Sequence, residues 1–140
     1  MANITIINGP NLNLLGKREP GIYGSQSFED FLETLKTKYP AVSFSYQQSN
    51  IEGELIGFIQ TAGFSADGII LNPGGYTHTS VALGDAIAAI KSSVVEVHIS
   101  NTAKREAFRH ISHVSAQCAG TIIGLGLKGY ELALQYFLEK

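Results

Sequence analysis

The chain is poor in cysteine, nearly balanced in charge and without a long apolar run. A single cysteine, Cys118, excludes an intramolecular disulfide and fits a reducing compartment. Ten Lys and Arg against twelve Asp and Glu give a net charge of −2, so electrostatics provides no reason to expect nucleic acid or an anionic membrane. No apolar stretch approaches the ~18 residues of a membrane span, and the N-terminus shows no basic segment leading into an apolar one. The glycine-rich turn from Asn72 to Ser80 contains no GxGxxG fingerprint and no Walker lysine, so it lends nucleotide binding no support. There is no repeat, low-complexity segment or linker. What remains is 140 residues, 44% hydrophobic and 16% charged, a globular composition able to bury roughly 70% of the unfolded surface. The expectation is one cytoplasmic domain spanning 1–140.

Apolar runs and helical patterns alternate along it. Ile4 to Ile7 reads as a strand, and Phe28 to Tyr39 as an amphipathic helix stopped before Pro40. Val42 to Tyr46 is a weaker strand followed by a helix from Ile51 to Ala62. Gly68 to Leu71 is continuously apolar, as a central strand covered on both faces would be. A helix from Ser80 to about Lys91, capped by Thr79 or Ser80, leads to a fourth strand at Val94 to Ile99. Thr121 to Leu125 and Tyr130 to Leu138 complete the pattern as a fifth strand and a terminal helix. This order predicts an α/β fold, a flavodoxin-like three-layer α/β/α sandwich with a five-stranded parallel sheet.

Ligands of such folds bind beyond the carboxyl ends of the strands. Polar groups gather there: Asn8 and Asn11, then Asn50 and Glu52, then Asn72, Tyr76 and His78, then His98, Ser100 and Asn101. One cleft could hold them all. The connection from Asn8 to Gly24, NGPNLNLLGKREPGIYG, is long for a strand-to-helix turn, and such loops are usually binding loops or active-site lids. The lid is placed at about 16–25. It carries Arg18 and Tyr23, a cation near a phenol. A tyrosine titrates near 10 when free and needs such a neighbour to lose its proton near neutrality. An ordinary surface loop with one anchoring aromatic is the competing explanation.

Glu96 and His98, two apart in a strand, share a face, while Val95, Val97 and Ile99 point the other way. A carboxylate beside an imidazole fixes its tautomer and favours the protonated form, which suits a general acid. In isolation the pair reads as structural; at a strand end facing a cleft it reads as catalytic. The turn Asn72-Pro73-Gly74-Gly75-Tyr76-Thr77-His78-Thr79-Ser80 is either a cradle for an anion or carbonyl oxygen or a plain tight turn entering a helix. Arg105 and Arg109, four apart, fit one helical face, either solvated or with Arg109 gripping a substrate carboxylate bidentately. His110 and His113 have metal-ligand spacing but no third ligand, so no metal is expected. Cys118 reads as a core thiol and not a nucleophile.

These blocks, NGPNLNLLGKREPGIYG, QSNIEGELI, NPGGYTHTS, EVHISN, REAFRHIS and GLGLKGY, together resemble the type II 3-dehydroquinate dehydratases over nearly the whole chain. The resemblance implies reversible dehydration of 3-dehydroquinate to 3-dehydroshikimate in the shikimate pathway. No metal or organic cofactor is implied, and the assembly would be a homododecamer, a tetramer of trimers. By the same resemblance Tyr23 is the base, with Arg18 lowering its pKa, and Asn11 places a water against the enolate oxygen. His98, held by Glu96, is the acid. Asn72, His78, Ile99, Ser100 and Arg109 bind the substrate's hydroxyls and carboxylate, and Asp85 reaches a neighbouring subunit's site. Gly75 stands where alanine is usual in that family, and Gly84 where arginine is frequent.

The required chemistry matches the residues: a base, stabilisation for a developing oxyanion and an acid for the leaving group. A Schiff-base route is disfavoured, since the seven lysines fall in loop, amphipathic-helix or terminal contexts. The alternative is a flavodoxin-like small-ligand binding or signalling module. A receiver domain, however, would want aspartates where Asn8 and Asn72 stand, and a flavin carrier a Ser/Thr-rich loop where Pro10 and Leu12 stand.

Overall fold

The structure, a computed structural model, describes residues 1–17 and 26–139. Five strands form one sheet: β1 (Asn3–Asn8), β2 (Ser43–Gln48), β3 (Gly68–Asn72), β4 (Val94–His98) and β5 (Gly120–Ile123). Their order is β2-β1-β3-β4-β5 and every pairing is parallel. This is the flavodoxin-like arrangement, in which the sheet reverses direction of winding between β1 and β3. Every residue of β3 and β4 is buried, whereas edge strand β2 alternates between exposed and half-buried positions. The continuous apolar run at Gly68 to Leu71 therefore reports a strand covered on both faces.

Among the described residues four α-helices cover the sheet: α1 (Phe28–Lys38), α2 (Glu52–Ala62), α3 (Val81–Ala89) and α4 (Lys128–Glu139). Phe28, Phe31, Leu32 and Leu35 make one stripe on α1 and pack with Tyr130, Ala133 and Leu134 of α4 against Ile4, Ile6, Val95 and Val97. On the opposite face Leu55 and Ile59 of α2 and Leu83 and Ile87 of α3 cover Ile7, Ile69, Leu71 and Val94. Each such fully buried side chain contributes ~1.5–3 kcal/mol. Ser27 caps α1 by accepting from the Asp30 amide at 3.1 Å, with Glu29 and Asp30 in its first turn and Lys36 and Lys38 in its last. Ser80 caps α3, accepting from the Leu83 amide at 3.0 Å, so Ser80 and not Thr79 is the cap.

Two expectations change. The helix expected for Arg105 and Arg109 is replaced by short 3-10 turns at Thr102–Lys104 and Ala107–His110, with Arg105 extended between them. The fifth strand begins at Gly120 and ends at Ile123, because Gly124 turns away at φ +87°. There its amide donates to the His98 carbonyl at 3.0 Å, and a Cβ would lie 3.0 Å from that of Asn101. No helix among the described residues is long and apolar enough to cross a membrane.

Candidate active site

The β1/β3 switch point opens into a cleft of about 130 Å³ of water-accessible space, on the order of ten times what one water needs. Its lining combines the β1 loop (Asn11, Leu12, Leu14), the turn after β3 (Asn72, Gly74, His78) and the end of β4 (His98, Ile99, Ser100). Thr102, Arg105 and Arg109 close the far side. Most of the polar residues expected there are brought together, including Asn11, Asn72, His78, His98, Ser100 and Arg109. Asn8, Asn50, Glu52, Tyr76 and Asn101 lie at the same sheet edge but outside the lining, serving as supports. Glu52 accepts from the Ser80 hydroxyl, and Asn101 accepts from the Ala103 amide at 3.1 Å. Arg18, Tyr23 and most of the loop at about 16–25 lie outside the described residues.

His98 Nε2 bonds directly to Glu96 Oε2, as the two-residue spacing requires. Glu96 is deeper, almost wholly buried, and receives the Ser115 hydroxyl and, at 3.4 Å, that of Thr121. Burial pushes its carboxyl up, but bonds from His98, Ser115 and Thr121 and the His98 charge outweigh this and hold it below its ordinary value. Glu96 is thus an anion that orients the imidazole. With Nε2 committed to Glu96, Nδ1 is the nitrogen left for a ligand.

His78 is tied differently. Its Nδ1 lies 2.7 Å from the Ile111 carbonyl, which only accepts, so Nδ1 carries the proton. Burial holds the imidazole below its ordinary pKa, more than offsetting that bond. Neutral His78 then presents Nε2 as an acceptor, suited to a hydroxyl. Its ring lies 6.3 Å from that of His98, centroid to centroid.

Asn72 is fixed on both sides. Its Oδ1 accepts from the Gly74 amide at 3.0 Å, and its Nδ2 donates to the Tyr130 hydroxyl at 2.9 Å. Tyr130 in turn donates to Asn8 Oδ1 at 2.7 Å, beneath the cleft floor. Burial pushes the Tyr46 phenol up to about 12 and that of Tyr130 further in the same direction, so both are neutral hydrogen-bonding groups and not bases.

Arg109 Nε bonds Glu106 at 2.8 Å and its guanidinium lies over Phe108, 4.8 Å from the ring centroid. The Nη1/Nη2 edge is the one left for a bidentate carboxylate. Sequence reasoning placed Arg105 on a helix face only; it lines the cleft and donates to Ser100 Oγ at 3.1 Å. Ser112, Ser115, Thr121 and Tyr130 were also missed as supports, since each acts over a long stretch of chain. No group of three metal-ligating side chains occurs among the described residues, and His110 and His113 do not form one. Cys118 is half-buried, donates to the Val114 carbonyl at 3.4 Å, and has its thiol pushed up to about 12 by burial and the Glu96 charge. Asp85 is exposed on α3, away from this cleft. Gly84 beside it is buried, and a Cβ there would sit 2.3 Å from the His113 carbonyl oxygen, so the glycine permits a close approach.

A three-layer α/β protein with a histidine–carboxylate pair and an arginine-walled cleft at the switch point has the parts of an acid–base enzyme for a small anionic substrate. The chain matches the family described as dehydroquinase class II over residues 2–138 and belongs to that family. It is 50% identical to a 3-dehydroquinate dehydratase of Bacillus pumilus, over 100% of this chain and 97% of that one. A 3-dehydroquinate dehydratase of Fusobacterium nucleatum is 52% identical, over 97% of this chain and 96% of its own. The crystal structure of type II dehydroquinase from Butyrivibrio crossotus superimposes with a TM-score of 0.93 at 45% identity, covering 98% of this chain and 97% of that chain.

Proposed function

We propose that the protein dehydrates 3-dehydroquinate reversibly to 3-dehydroshikimate, the shikimate-pathway step that leads towards the aromatic amino acids. The observation that carries this reading is the His98–Glu96 pair set into a cleft with Asn11, Asn72, His78 and Arg109, in a chain of the dehydroquinase family. A base removes a proton from the carbon next to the ketone, and the electron pair becomes an enolate. Asn11 holds a water against the enolate oxygen. His98 then gives its proton to the departing hydroxyl, which leaves as water, and the enolate collapses to the conjugated enone.

Among the described residues lining the cleft, His78 and His98 are the only imidazoles, and no carboxylate, thiol or lysine lines it with them. His98 serves as acid, and His78, pinned through Nδ1, serves as a hydroxyl acceptor. That leaves the base to Tyr23, with Arg18 as its activating cation, on the strength of the sequence resemblance. Ile99, Ser100 and Arg109 take the substrate carboxylate, and Asn72 and His78 its hydroxyls. The assembly is a homododecamer in which Asp85 reaches the cleft of a neighbouring subunit. The reaction needs neither metal nor organic cofactor, and the enzyme works in the cytoplasm as one domain over 1–140.

Adding 3-dehydroquinate and following the ultraviolet absorbance of the enone tests the assignment directly; no rise at any neutral pH would sink it. Tyr23→Phe and His98→Ala should each abolish turnover with the fold intact. If Tyr23→Phe stays active while His78→Ala is dead, His78 is the base. Borohydride added with substrate should leave activity untouched, whereas inactivation would reveal a Schiff base.

A further inference from the structure

Asn11 is the one residue other than glycine with a positive φ among the described residues, at φ 71°, ψ −5°. Asparagine reaches that left-handed conformation more readily than most L-residues, yet it is a minority state of a free chain, so a neighbour that holds it there fixes the direction of the side chain. The neighbours are visible. The Asn11 amide donates to Asn50 Oδ1 at 3.0 Å, across 39 residues of sequence. Gln48 Nε2 donates to the same oxygen at 3.2 Å and to the Gly9 carbonyl at 3.1 Å. The backbone carbonyl of Asn50 is held by the Tyr76 hydroxyl at 2.8 Å. Sheet register explains the meeting: Asn8 pairs with Gln48, and both chains leave the sheet side by side.

We infer that Asn50 is a positioning residue for the reaction, clamping Asn11 in its left-handed conformation so that the Asn11 side chain faces the cleft. Asn50 does not line the cleft, so it acts through Asn11 and not on the substrate. This rests on the role proposed above for Asn11 at the enolate oxygen. Both asparagines are exposed, so removing the Asn50 amide leaves no buried group without a partner and spares the fold.

The test is a set of four variants assayed for kcat and KM on 3-dehydroquinate. Asn50→Ala should lower kcat roughly five- to tenfold, the ratio for one ordinary hydrogen bond at about 1.4 kcal/mol per decade, with KM within about twofold. Asn50→Asp keeps the accepting oxygen and should stay within about twofold of the parent. Asn11→Ala should lower kcat at least as far as Asn50→Ala. In the Asn11→Ala background, Asn50→Ala should have no further effect, because the group it positions is gone. A crippled Asn11→Ala with full turnover in Asn50→Ala overturns the positioning role alone. The same holds if Asn50→Ala lowers kcat equally in both backgrounds. Full turnover in Asn11→Ala overturns the Asn11 role and the positioning with it.

Discussion

Replacing Tyr130 by Phe removes one oxygen from beneath the floor of the cleft and tests the network built on it. Tyr130 is fully buried, as is Asn8, and Asn72 is nearly so. The hydroxyl donates to Asn8 Oδ1 at 2.7 Å and accepts from Asn72 Nδ2 at 2.9 Å, while Asn8 Nδ2 donates to the Tyr46 hydroxyl at 3.3 Å. The Phe ring keeps its contact with Phe28, 4.9 Å away between centroids, so packing is preserved. Two buried amide groups each lose a partner at ~1–3 kcal/mol apiece, and the parent's own cost of burying a hydroxyl offsets part of this. The expected net loss is about 2–4 kcal/mol, or a melting temperature lower by about 10 °C for a chain of this size. Equilibrium urea unfolding measures it, with Tyr46→Phe as the control. That control strips a partner from one buried amide group and not two, the Asn8 Nδ2 of the long 3.3 Å bond, and should cost about 1 kcal/mol, the low end for a single group. A Tyr130→Phe protein within ~0.5 kcal/mol of the parent, or no worse than the control, would refute the network as a source of stability.

Glu96→Gln should lower kcat by at least tenfold with little change in thermal midpoint, since a neutral amide keeps the shape but not the charge that orients His98; unchanged kcat would make the pair structural. Glu131 is held at about 2 by the Lys38 ammonium at 2.6 Å, the Tyr39 hydroxyl at 2.7 Å and Lys128 at 3.1 Å. Its folded pKa is depressed, so its stabilisation, on the order of 2 kcal/mol after screening of the exposed ammonium groups, is present above pH ~4.5 and lost as pH falls towards 2. Glu131→Gln should therefore flatten the acid limb of a stability–pH profile, and an unchanged limb would show that Glu131 does not shape it. Cys118, with its thiol near 12, should react with iodoacetamide at pH 8 far more slowly in the native protein than in urea; equal rates would contradict the burial.

The sheet was legible because its signals are local. The continuous apolar run at Gly68 to Leu71 marks a central strand, and Glu96 and His98 meet because a strand has a period of two. The arginines illustrate the failure. A spacing of four at Arg105 and Arg109 fits a helix, but Asn101 caps a single 3-10 turn and Arg105 is extended, so the two reach the cleft from separate turns. The supports were illegible for a different reason. Ser115 lies 19 residues from Glu96, Asn50 lies 39 from Asn11 and Tyr130 lies 122 from Asn8. Side chains paired at such separations leave no periodicity behind.

Register explains which of the polar residues after each strand became ligands of the cleft and which became its foundations. Asn8 pairs with both Gln48 and Asn72, so these three stand in one row at the sheet's edge. Leu71, one residue inside that row, pairs with Glu96, and Glu96 pairs with Thr121. The carboxylate therefore sits deeper than the edge, where it meets Thr121 and Ser115, and only the imidazole two residues on reaches the opening. Moving the acid one residue along β4 would turn it into the layer of Val95 and Val97, against α1 and α4. The parallel sheet thus makes one cleft from residues scattered over more than 90 positions, because all five strands end at the same edge.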